Sequence, residues 1–228
     1  MNAAYGTLVV NEVFTSFQGE GLHTGLRTTF IRLAGCNLDC LWCDTRYARD
    51  PDSGIPTSIV DLISRVKDEG TTLVCITGGE PFLQKGIGGL IEGLLGIGVG
   101  VDIETNGSLP LRDHVSEHPS VFLSVDVKTP SSGEGGSFLM ENLDLLRPSD
   151  QLKFVVREEA DISFMSEFVR SNSPRCTVIV TPVSNMGGER IGRYLGKELT
   201  GGGLSAFRDR VRLMVQSHKV LFGDERGH

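Results

Sequence analysis

Apolar residues recur along this chain in short runs, separated by glycine-rich turns and by stretches of helical period. Leu8 to Phe14 reads as a strand closed by the polar turn Gln18-Gly19-Glu20-Gly21, and Arg27 to Leu33 as the next strand. Thr57-Ser58 offers N-caps for a helix in which Ile59, Leu62, Ile63 and Val66 recur at i, i+3, i+4 and i+7, with Gly70 to stop it. Thr72 to Thr77 is a strand of buried character. Ile87, Leu90, Ile91, Leu94 and Leu95 mark a second amphipathic helix ending at Gly96. Further strands are predicted at Val99 to Glu104, Val121 to Val127, Leu152 to Val156, Thr177 to Val180 and Val211 to Val215, with a helix on Ile162, Met165 and Val169. Ser131 to Ser137 is small and polar and reads as a mobile loop; Gly201-Gly202-Gly203 reads as a flexible connection.

Strands alternating with helices predict βαβ units and a parallel sheet. The fold class is α/β: an incomplete TIM-type β/α barrel, because the chain is short for eight full units, with the active site at the C-terminal strand ends. No repeat and no boundary breaks the pattern, so residues 1–228 are expected to form one domain. The cysteine-rich loop after Leu33, Gly78 to Pro81, Glu104 to Gly107, Asp126 to Lys128, Thr181-Pro182 and Gln216 to His218 all fall where a strand ends. Six loops converging on one rim say more than any one of them.

Composition narrows the class. With 228 residues, 39% of them hydrophobic, there is apolar material for a substantial core. A formal net charge of −7 argues against a broad nucleic-acid surface. No run of eighteen apolar residues appears, and the N-terminus lacks a basic region leading into an apolar one. A soluble, cytoplasmic protein with no membrane partner is expected. Five cysteines, three of them clustered, suit a reducing compartment better than a disulfide scaffold.

That cluster is Cys36-Asn37-Leu38-Asp39-Cys40-Leu41-Trp42-Cys43, a C-x3-C-x2-C spacing. Three thiolates on one loop each hold one iron of a [4Fe-4S] cubane, leaving the fourth iron open. The amino and carboxylate groups of S-adenosylmethionine (SAM) suit that open iron. Zinc is the competing reading, but a closed site wants four ligands, and the nearest spare candidate, His23, lies thirteen residues upstream. A disulfide would leave one cysteine over. Gly78-Gly79-Glu80-Pro81 follows a later strand. Its glycines admit close backbone approach to a ligand, and Glu80 can receive an ammonium group. Read alone, the same four residues are a turn with a helix-starting proline. Together the two motifs resemble the radical SAM superfamily.

Asn11 to Gly21, Thr29 to Asn37 and Cys43-Asp44-Thr45 narrow the resemblance to the 7-carboxy-7-deazaguanine synthase family. It continues through Gly78 to Pro81, Glu104 to Gly107 and Lys128 to Ser132, and is loose between them. It implies a homodimer, a modified partial barrel of the radical SAM kind, and conversion of 6-carboxy-5,6,7,8-tetrahydropterin to 7-carboxy-7-deazaguanine with loss of ammonia. SAM is then a catalytic cofactor, Mg2+ assists, and a flavodoxin or ferredoxin type of protein supplies the electron. By the same match Phe17, Gln18 and Gly19 line the pterin pocket, Arg32 meets the substrate carboxylate, and Thr77 faces the substrate. Cys36, Cys40 and Cys43 hold the cluster, and Thr45 is the magnesium position. Trp42, Cys43, Asp44, Gly79 and Glu80 contact SAM.

Glu104, one of few carboxylates on the rim, is the candidate base; the competing reading is a carboxylate that bonds the turn after its strand. Lys128 reaches SAM in this reading. Asp126 stands where the family more often shows the Ser of Ser-Pro-Lys, and adds a charge beside it. Gln216 and His218 resemble the family's C-terminal Gln-x-His-Lys end and receive no role. Cys75 and Cys176 sit inside strand runs and read as small buried hydrophobes. Two rival readings remain: a glycyl-radical-enzyme activating protein, which would act on a protein glycine, and a structural zinc-binding interaction module.

Overall fold

A computed structural model describes residues 6–111, 117–183, 188–223 and 225–227. One sheet of nine strands organises them, in the order β3-β1-β2-β4-β5-β6-β7-β8-β9. The strands are β1 (Thr7–Phe17), β2 (Arg27–Leu33), β3 (Ile55–Ser58), β4 (Leu73–Gly78), β5 (Gly100–Thr105), β6 (Val121–Asp126), β7 (Gln151–Val156), β8 (Thr177–Pro182) and β9 (Val211–Leu213). From β2 through β4 to β9 every pairing is parallel. The sheet is open rather than closed into a barrel.

The expectation of parallel strands throughout needs one correction. β1 runs antiparallel to β2 and to β3. The connection from Phe17 to Arg27 holds only a short 3-10 turn, too little for the crossover that a parallel pair demands. Instead Gly25 N–H donates to the Gln18 carbonyl (2.8 Å) and Gln18 N–H to the Leu26 carbonyl (2.9 Å), closing a hairpin.

The helices are α1 (Ile59–Glu69), α2 (Ile87–Gly96), α3 (Glu159–Asn172), α4 (Gly188–Thr200) and a short α5 (Ser217–Phe222). At the start of α1 the Ser58 hydroxyl accepts from Asp61 N–H (3.1 Å), a cap worth about 1 kcal/mol. At its end Gly70 adopts the left-handed conformation (φ 64°) that favours glycine.

Strand alternation separates two environments. Ile31, Leu33, Val74, Ile76, Val101, Ile103, Leu123, Val125, Leu152 and Phe154 join one core with Leu62, Leu90, Leu94, Ile162 and Met165 of the helices. The intervening positions, among them Arg32, Thr77, Glu104, Asp126 and Lys153, line a cavity on the opposite, concave side. One face of the sheet makes the fold and the other makes the site.

Candidate active site

The cavity has a volume of about 290 Å³ and opens at the C-terminal ends of the parallel strands. Every site residue expected from the sequence lines it except Glu80.

The cysteine loop leaves β2 through Gly35, whose N–H donates to the Ala48 carbonyl (2.9 Å), while Cys36 N–H donates to the Arg49 carbonyl (3.0 Å). These bonds pinch the base of the loop shut. Cys36, Cys40 and Cys43 are free, half-buried thiols. Asn106 Nδ2 lies 3.8 Å from Cys36 Sγ and donates to Asn37 Oδ1 at 3.0 Å. Leu41 N–H donates to the Ser132 carbonyl (2.9 Å), and Asp39 N–H to Glu134 Oε1 (2.7 Å). The segment read as a mobile loop is therefore bonded to the cysteine loop, and its other side is held by Ser131 N–H donating to Asp161 Oδ1 at 3.1 Å.

Gly78 and Gly79 fit against that base. A Cβ on Gly79 would sit 1.9 Å from the Gly35 carbonyl oxygen, and one on Gly78 2.1 Å from that of Leu33. Close approach lets Gly79 N–H reach the Leu33 carbonyl (3.0 Å) and Glu80 N–H that of Gly35 (2.7 Å). Glu80 itself is 0% exposed. Its carboxylate accepts from Phe82 N–H (3.0 Å), the Thr105 hydroxyl (2.8 Å) and Asn106 N–H (2.7 Å). All of this ties the glycine loop to the end of β5 and turns the carboxylate away from the cavity. The expectation that Glu80 presents its side chain to SAM therefore has to be revised: it clamps the loop that carries Gly79.

The floor is a chain of buried charges. Glu104 accepts from Gln18 Nε2 (3.2 Å) and from the Thr77 hydroxyl (2.8 Å). Burial raises its pKa, an effect the Lys153 ammonium opposes and the Glu20 and Asp102 carboxylates reinforce. Lys153 binds Glu20 Oε2 at 2.9 Å and lies 3.4 Å from Asp126 Oδ1. Burial alone would raise the Glu20 pKa, but Lys153 and the Gln216 hydrogen bond (2.8 Å) outweigh it and hold Glu20 at about 2. Lys128 pairs with the other oxygen of Asp126 at 2.5 Å. The added charge at Asp126 is thus shared between two lysines.

Arg32 donates from Nε to Glu12 Oε1 (2.7 Å), which also accepts from the Tyr47 hydroxyl (2.9 Å). Phe14 and Phe30 stack beside it with centroids 4.9 Å apart, supplying a flat apolar wall. Glu20, Asp44 and His218 each bring one ligand atom to within 4.8 Å of the others, and Thr45 also lines the cavity. The C-terminal end closes this side: Ser217 N–H donates to the Gly19 carbonyl (3.0 Å), and the Ser217 hydroxyl lies 3.1 Å from the same oxygen.

Sequence reasoning assigned no role to Glu12, Glu20, Tyr47 or Lys153. Only Lys153 carried a local signal, as a lysine inside an otherwise apolar strand run. The others acquire meaning from partners far away in sequence.

Residues 30–144 match the Radical SAM superfamily. The 7-carboxy-7-deazaguanine synthase of Thermoplasma acidophilum is 35% identical over 220 residues, covering 96% of this chain and 100% of the relative. The protein of the same name from Methanospirillum hungatei is 37% identical over 214 residues, covering 93% of this chain and 84% of its own length. In fold, the chain superposes on QueE from Escherichia coli with a TM-score of 0.73 at 24% identity, covering 93% of this chain and 95% of that one.

Proposed function

We propose that this chain, which belongs to the radical SAM superfamily and within it to the 7-carboxy-7-deazaguanine synthase family, converts 6-carboxy-5,6,7,8-tetrahydropterin to 7-carboxy-7-deazaguanine and ammonia. The observation that carries the reading is one cavity holding a triad of free thiols on one side and the Arg32, Glu104 and Phe14–Phe30 surfaces on the other. Substrate equals product plus ammonia, so the reaction needs no net oxidant.

The family implies a [4Fe-4S] cluster and SAM, and the residues fit both. Cys36, Cys40 and Cys43 supply three thiolates and leave one iron uncommitted, while a side chain on Gly78 or Gly79 would abolish the close backbone packing beside them. When bound, the pair supplies a carbon radical strong enough to take hydrogen from an unactivated C–H bond. The chain's own residues position and shield. Trp42, Asp44, Gly79, Asp126 and Lys128 surround the SAM side. Gln18 and Thr77 read the pterin's polar edge and share Glu104, whose buried carboxylate is suited to take the proton released when the contracted ring becomes aromatic. Phe17 and Gly19 border the same pocket, and Arg32 offers a planar fork to the carboxylate.

Magnesium belongs to this reading at Thr45, a cavity-lining hydroxyl that follows the Asp44 carboxylate in sequence, with oxygens of the substrate and water completing the hard ligands such an ion prefers. A homodimer is supported by the exposed Leu213, Val215, Val220 and Leu221 near the C-terminus. Leu41, exposed on the cysteine loop, suits contact with a flavodoxin- or ferredoxin-like donor. A single domain is supported by the one sheet shared by the described residues. No helix among them is long and apolar enough to cross a membrane, and the free thiols agree with a cytoplasmic setting.

Anaerobic turnover with reconstituted cluster, SAM, reductant, magnesium and 6-carboxytetrahydropterin, read by mass spectrometry, tests the reading. The deazaguanine product and ammonia are expected, and Cys40→Ala should abolish both. Slow SAM cleavage without that product would overturn the substrate while leaving the superfamily in place.

A further inference from the structure

Glu12 gathers two guanidinium groups. Arg32 bonds one carboxylate oxygen through Nε at 2.7 Å, and Nη2 of Arg226 lies 3.6 Å from the other. Arg226 also donates to Asn11 Oδ1 at 3.2 Å, and its guanidinium carbon lies 3.8 Å from the centroid of the Tyr47 ring. The same ring has Arg32 at 5.9 Å. Tyr47, hydrogen-bonded to Glu12 through its hydroxyl, therefore carries a cation–π contact that fixes the plane of Arg226 at the cavity wall.

Charge counting gives this arrangement its meaning. Arg32 and Glu12 alone form a neutral pair, with no surplus charge for an incoming anion. Beside the apolar faces of Phe14 and Phe30, an uncompensated carboxylate would lose hydration without replacement. Arg226 gives the group of Glu12, Arg32 and Arg226 a net single positive charge, which faces the Glu104 carboxylate that also acts on Arg32. A purely stabilising role explains little, because the Arg226 side chain is 57% exposed and exposed ion pairs contribute little to folding.

We propose that Arg226, delivered to the cavity by the C-terminal tail, is a second cation for the substrate's carboxylate and sets the preference for a carboxylated over an uncarboxylated pterin. This rests on the reading that Arg32 receives that carboxylate. The bond to Glu12 occupies Nε of Arg32, so the terminal nitrogens are not what Glu12 engages. A ligand carboxylate meets two forks whose orientations Glu12 and Tyr47 have set beforehand.

The test is equilibrium binding to the reconstituted, SAM-loaded enzyme of two probes, 6-carboxytetrahydropterin and tetrahydropterin without the carboxylate. Arg226→Ala should weaken the carboxylated ligand by roughly 10- to 100-fold, the fold-change carried by a hydrogen bond between charged partners, and leave the other within about twofold. KM for the carboxylated substrate should rise with it, kcat should stay nearly constant, and Arg226→Lys should recover part of the loss. Equal weakening of both probes, or no change in their ratio, would overturn the proposal. A wild-type enzyme that binds neither probe would instead overturn the substrate reading on which it rests.

Discussion

At the scale of single residues, the site depends on carboxylates placed where water cannot fully solvate them. Glu104 is the clearest case: burial favours its protonated form and Lys153 favours the charged one, a balance that suits the proton acceptor proposed for it. Glu104→Gln keeps the size and much of the polar character, so substrate affinity should change little. Turnover in the anaerobic assay should fall by about 100-fold or more. Beneath it, on the same strand, Asp102 is 3% exposed and binds His23 Nδ1 at 3.0 Å. That hydrogen bond raises the His23 pKa above its usual 6.5, against the opposing effect of burial. The folded state therefore holds the proton more tightly than the unfolded chain. The stabilisation is fully present below pH 6.5 and is lost as pH rises through the folded pKa. Urea unfolding compared at pH 6 and pH 9 should show a decline in stability that Asp102→Asn reduces. Spacing and residue type single out the loop cysteines and Gly79 in the sequence, and the family resemblance singles out Arg32; all of them line the cavity. The partners that set their chemistry were not legible there: Glu20 and Lys153 are 133 positions apart and Gln18 and Glu104 are 86, so only the folded chain pairs them.

Elements were legible where burial is one-sided and missed where it is slight. Arg27–Leu33 was bounded correctly, and Gly70 and Gly96 fell at the ends of their helices. α4 was overlooked: it carries glycines at 188, 192 and 196 and buries only Ile191 and Leu195, so its apolar stripe is thin. β3, four residues at the sheet edge with Ile55 exposed, gave no alternation to follow. Conversely, Asp102 and Glu104 of β5, Ser124 and Asp126 of β6, and Gln151 and Lys153 of β7 alternate with buried apolar residues and mark the concave face of the sheet. The Gly78–Pro81 turn shows how element geometry serves chemistry, since it lies against the cysteine loop with backbone in contact with backbone. Gly79→Ala would push a methyl into the Gly35 carbonyl, which has no side chain to yield. Separation of the two loops should cost roughly 1–3 kcal/mol of stability. Iron incorporation on anaerobic reconstitution should drop well below that of wild type. Iron content and thermal melting on the same preparation measure both.

Across the whole molecule, the hairpin between β1 and β2 and the C-terminal segment meet at the cavity. The hairpin between β1 and β2 reaches over the concave face, where Leu22 N–H donates to Gln151 Oε1 (2.8 Å). On top of that hairpin lies the C-terminal segment. Gln216 bonds Glu20, Ser217 bonds Gly19, and His218 packs so close to Gly19 that a Cβ there would lie 2.2 Å from its Nδ1. Yet α5 buries none of its residues, so the segment adds little to the apolar core that holds the sheet together. Folding and function are therefore separable at Gln216. A chain ending at Val215 keeps the nine described strands and the four longer helices, and loses the contacts that the C-terminal segment makes with Glu12, Gly19, Glu20 and Tyr47 along one wall of the site. Its melting temperature should fall by about 2–4 °C, the change expected for a loss near 1 kcal/mol in a domain of this size. Affinity for 6-carboxytetrahydropterin should fall far more steeply, since the truncation removes Arg226 and uncovers the Glu20 side of the pocket. Calorimetric melting and ligand binding on the same truncated protein decide the matter. A collapse in melting temperature would make the C-terminal segment part of the fold, whereas lost binding with preserved melting would make it a wall of the active site.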